Sequence, residues 1–62
     1  MFEKFAKLYR LARTEQERAV VIEDFAKTAI DSGSSLGSYQ DLLAAGGFML
    51  MSIAARMTND EA

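Results

Sequence analysis

Fourteen consecutive residues, 42–55, carry no charge, in a chain of only 62. They read Leu-Leu-Ala-Ala-Gly-Gly-Phe-Met-Leu-Met-Ser-Ile-Ala-Ala, with Asp41 before them and Arg56 after. The run lacks the strict alternation of a half-buried strand and is too long for a fully buried one, so it predicts a helix. The flanking charges suit that reading: an acid sits at the positive end of the helix dipole and a base at the negative end. Ser38-Tyr39-Gln40-Asp41 has the spacing of a capping box with Asp in the acidic position, so the helix is expected over about 39–57.

On a helical wheel Leu42, Leu43, Met49, Leu50, Ile53 and Met57 gather on one side. Ala44, Ala45, Ser52 and Ala55 lie on the other, with Phe48 projecting among them. Neither side is polar, and a helix that is apolar all round has to be buried all round. Gly46-Gly47 leaves three readings open: a kink or break, a close helix crossing, or a hinge. Each Gly costs about 1 kcal/mol relative to Ala inside a helix. Phe48 is either part of the chain's own core or an anchor for a partner. Met49, Met51 and Met57 suit either core filling or an adaptable binding surface.

The rest of the chain supplies two more helices. Phe2, Phe5, Leu8, Tyr9 and Ala12 share one face of a helix over about 2–13, with Lys4, Lys7, Arg10 and Arg13 spread over the opposite side and Leu11 off the stripe. Thr14-Glu15-Gln16-Glu17 is a second capping box. In it the Thr14 hydroxyl would accept from the Glu17 amide, and Glu17 would reach back to the Thr14 amide. The second helix therefore spans about 15–31, although a single helix running through Thr14 also fits. Its buried stripe is Ala19, Ile22, Phe25, Ala26, Ala29 and Ile30, with Val21 at the margin. Residues 32–38 form a Ser/Gly loop in which Gly33 supplies a left-handed cap. Residues 58–62 read as a polar, frayed tail. The fold class is all-α: one three-helix domain over residues 1–62, with the third helix central.

Size then becomes the constraint. A chain this short buries only about 60% of its unfolded surface. With no cysteine and no histidine, neither a disulfide nor an ordinary zinc site is available to staple it. Two flanking helices cover about one side of the third. The uncovered side, comprising Ala44, Ala45, Phe48, Met51, Ser52 and Ala55, is expected to meet a partner, first of all a second copy in a helical homodimer.

The same residues limit the function classes. The serines lie in a loop with no base beside them, and Glu15, Glu17, Glu23 and Asp24 have the spacing of a solvated helix face. No phosphate-binding or dinucleotide motif occurs. No enzymatic activity, cofactor or metal is expected. Net charge is −2, positive over residues 1–18 and negative beyond, which disfavours a nucleic-acid binder, for which a basic domain is the norm. Lys4, Lys7, Arg10 and Arg13 are instead candidates for steering an acidic protein target. No apolar run of secretory-leader length follows Lys4 and Lys7, so a cytoplasmic protein is expected. No motif ties the chain to a family. The expected function is a small acidic protein–protein interaction module: a regulator, inhibitor or assembly factor. Membrane association through the basic first helix and apolar third helix is an alternative. Weak nucleic-acid binding through the basic face of the first helix is another.

Overall fold

The computed structural model describes residues 2–57 and contains three helices in chain order: α1 (Glu3–Leu11), α2 (Glu15–Asp31) and α3 (Tyr39–Arg56). The tail at residues 58–62 lies outside the described residues. α3 packs against both α1 and α2, and more extensively than those two pack against each other. It is the central element, as its apolar sequence requires.

Helix ends follow local chemistry. Ser38 Oγ accepts from the Asp41 amide at 3.2 Å, and Asp41 Oδ2 accepts from the Ser38 amide at 3.3 Å, completing the capping box of α3. Met57 is extended and ends the helix one residue earlier than expected. Asp31 closes α2 with a left-handed Gly33 (φ 75°) two residues beyond it. The Gly33 and Ser34 amides donate back to the Ile30 and Ala29 carbonyls, which is the Schellman arrangement.

The break between α1 and α2 is real, so the single-helix alternative does not occur. Thr14 is extended, and its hydroxyl accepts from the Glu17 amide at 3.1 Å. The returning arm differs from expectation: Glu17 Oε1 accepts from the Arg13 amide at 3.1 Å and from the Thr14 hydroxyl, rather than from the Thr14 amide. The cap therefore takes hold one residue earlier. It draws Ala12 into an extended conformation, and α1 ends at Leu11 rather than Arg13.

The core is Ala6, Phe25, Ala26, Ala29, Leu42, Leu50 and Ala54, with Gly46 buried among them. Phe25 is its centre: Phe2 meets it edge-on with ring centroids 5.0 Å apart, and Phe5 at 6.1 Å. Ile22, Tyr9, Val21, Leu43, Met49, Ile53 and Met57 pack around this nucleus, partly buried. Three expected core positions are corrected. Leu8, Ala19 and Ile30 are exposed. Ala6 and Ala54 take enclosed places instead. For Leu8 and Ile30 the physical reason is helix proximity: where axes approach closely, only a methyl group fits at the contact point, and larger side chains are displaced to its edge; Ala19, already a methyl, lies outside that contact.

Gly46-Gly47 marks that approach. The helix runs unbroken through both residues. A Cβ added at Gly46 would lie 2.8 Å from Ile22 Cγ2, and one at Gly47 would lie 2.9 Å from Tyr9 Oη. Of the three readings open from sequence, the close crossing is the one observed.

Candidate protein-binding face

With one side of α3 turned inward, its remaining residues form an outer face. Ala44, Phe48, Met51 and Ala55 are exposed, and Ala45 and Ser52 are half-buried at its edge. Phe48 is 78% exposed and Met51 60% exposed, so Phe48 lies outside the chain's own core. Residues 44, 48, 51 and 55 are spaced four, three and four apart. That spacing forms a continuous stripe along a helix, of the kind seen where one helix lies against another. Asp41 stands exposed at one end and Arg56 at the other.

Two hollows flank this stripe. On one side Phe48 and Ser52 line a groove of about 400 Å³ together with Phe2, Phe25, Met49 and Ile53. Leu36 from the loop and Arg56 also line it. On the other side Met51 shares a smaller hollow, about 340 Å³, with Tyr9, Arg10, Ala12 and Arg18. A neighbouring one is formed with Arg10, Ala54, Ala55 and Met57. Each lining combines apolar side chains with at least one guanidinium group, a composition in keeping with a protein-binding patch.

Leu36 joins this surface without being part of the expected face. It is 49% exposed in a stretch otherwise made of Ser and Gly. A lone large apolar residue in such a loop is the signal that points to it. The backbone around it is held by the serines: Ser34 Oγ accepts from the Leu36 amide, and Ser32 Oγ donates to the Thr28 carbonyl.

The four expected steering bases separate. Lys4, Lys7, Arg10 and Arg13 are all exposed. Arg10 borders the hollows beside Met51, whereas Arg13 stands in the link after α1 rather than on its helical face. Arg18, half-buried, joins Arg10 at that rim.

Elsewhere among the described residues no polar or charged side chain is buried. No group of three or more acidic residues among them is placed to hold a metal ion. No described helix is long and apolar enough to cross a membrane. Comparison with family models, with curated proteins and with solved structures finds no match to this chain.

Proposed function

We propose that the protein is a non-enzymatic protein–protein interaction module. In this reading it is a small helical homodimer, joined through the outer face of α3, that regulates, inhibits or helps assemble another protein by contact. The observation that carries the reading is the exposure of Phe48 and Met51 at the centre of a charge-free helix face. A large aromatic side chain left in water forgoes about 1.5–3 kcal/mol of burial free energy. Phe and Met are also enriched at interface centres. Lys4, Lys7 and Arg13 lie away from the stripe on the exposed side of α1 and the link after it. There they remain available, with Arg10 at the rim, to steer an acidic target, an effect on association rate that weakens with salt.

Sedimentation equilibrium of the full chain tests the proposal. A dimer is expected, and Phe48→Ala should weaken it by more than about 1 kcal/mol, as removal of an interface anchor does. The variant's helix content should be unchanged, because Phe48 lies outside the core of its own chain. A monomer persisting to high micromolar concentration would defeat the homodimer.

A further inference from the structure

We infer that two copies pair through α3 in antiparallel fashion, about a two-fold axis passing between Phe48 and Met51. The inference rests on the homodimer proposed above and adds its orientation and register. It starts from the spacing of the exposed stripe. Ala44, Phe48, Met51 and Ala55 step by four, three and four residues, and that series reads the same in both directions. Reversing one helix against the other therefore brings the stripe onto itself. Ala44 meets Ala55 of the second copy, and Phe48 meets its Met51. A two-fold interface requires this self-complementarity.

Shape favours the same register. Phe48 of each copy enters the notch over the small Ser52 and Ala55 of the other, with a methionine sulfur at its ring, a favourable contact in its own right. In a parallel pair each residue would face its own equivalent, stacking Phe48 on Phe48 and Met51 on Met51.

Charge points the same way. Asp41 and Arg56 are the charges that bound the apolar run, and both are exposed. On the helical wheel both fall on the groove side of the stripe. In the antiparallel register Arg56 of the second copy comes level with Leu43, about 3 Å along the axis from Asp41, within reach of its guanidinium. Asp41 Oδ2 accepts from the Ser38 amide, and its second oxygen is left to meet the arginine. A parallel pair would set the groove side of one copy against the opposite side of the other, parting each Asp41 from the second copy's Arg56 by the length of the apolar run, and would align the two helix dipoles. Arg10 and Arg18 lie on the opposite flank, at the open rim, where water screens them.

The absence of cysteine makes the orientation directly measurable. Ala44→Cys and Ala55→Cys place single thiols at positions exposed on the single chain, where a side chain of that size disturbs no packing within its own subunit. The two variants are co-refolded in equal parts and treated with a short bismaleimide. Cross-linked dimer is expected from the mixture and not from either variant alone. In this register the two thiols of an Ala44→Cys dimer stand 11 positions apart along the axis, about 16 Å, beyond the linker's span. Efficient cross-linking of each variant with itself would overturn the antiparallel pairing in favour of a parallel one. A dimer by sedimentation with no cross-link in the mixture would overturn the α3 seam. A monomer by sedimentation would remove the homodimer itself, so failure of the orientation and failure of the assembly are separate results.

Discussion

Replacing the adjacent glycines of α3 one at a time should move stability in opposite directions. Either change to Ala relieves the backbone-entropy cost of Gly in a helix, worth about 1 kcal/mol. The new methyl groups meet different neighbours. At Gly47 the Cβ would come within 2.9 Å of Tyr9 Oη, the far end of a side chain that can swing toward solvent. Little of the gain is lost there, and Gly47→Ala should stabilise the fold by about 0.5–1 kcal/mol. At Gly46 the Cβ would come within 2.8 Å of Ile22 Cγ2, with Phe25 Cδ2 at 3.6 Å behind it. Ile22 Cγ2 sits on the β-carbon and can shift only with the backbone-proximal part of its side chain, and Phe25 is fully buried. Overpacking of this kind costs about 1–3 kcal/mol, so Gly46→Ala should end destabilising by up to about 2 kcal/mol. Urea denaturation followed by circular dichroism resolves the two, run at one fixed protein concentration because the proposed self-association would add to apparent stability. Thermal midpoints should separate in the same sense, by about 4–8 °C per kcal/mol in a domain this small. Equal stabilisation by both variants would refute the close crossing of α2 and α3.

Other substitutions probe separate features. Phe25→Ala removes the ring on which Phe2 and Phe5 converge and should cost about 3–5 kcal/mol, enough to leave the chain largely unfolded by far-ultraviolet circular dichroism. Ser38→Ala deletes the acceptor for the Asp41 amide and should cost about 1 kcal/mol in urea titration; an unchanged midpoint would mean the cap contributes nothing. Gly33→Ala forces a Cβ into a left-handed conformation at a cost of about 1–2 kcal/mol, although no atom crowds the site, so the loss read by the same titration is conformational rather than steric.

How far the fold is legible in the sequence follows the range of the forces involved. Thr14, Gly33, Ser38 and Asp41 end or start their helices where the sequence predicts, because a cap is settled by four or five neighbouring residues. The limits of α2 accordingly match expectation residue for residue. The buried stripe of α3 is also legible, since Leu42, Gly46 and Leu50 repeat every four residues. Phe25, Ala26 and Ala29 are legible too, but the innermost places of Ala6 and Ala54 are not. Helical periodicity says which residues share a face, but not which part of that face touches a neighbour. Leu8 and Ile30 outrank Ala6 and Ala54 in apolar bulk, yet proximity of the axes selects the smaller pair. Gly46-Gly47 stays open for the same reason: a crossing and a kink differ only in what stands opposite, here Ile22 and Tyr9. The outer face is legible as a surplus of apolar surface, and its groove is not, because Leu36 reaches it from a loop whose path no periodicity describes.

Among the described residues, four of the seven buried apolar side chains are alanines, and Gly46 lies among them. An interior of that kind has almost no atoms left to give up. Outside Phe25, Leu42 and Leu50, nearly every inward mutation is an enlargement that must pry two backbones apart. Sequence drift in such a protein is channelled outward, onto the solvent-facing residues, so that its surface can be rewritten while its architecture is held still.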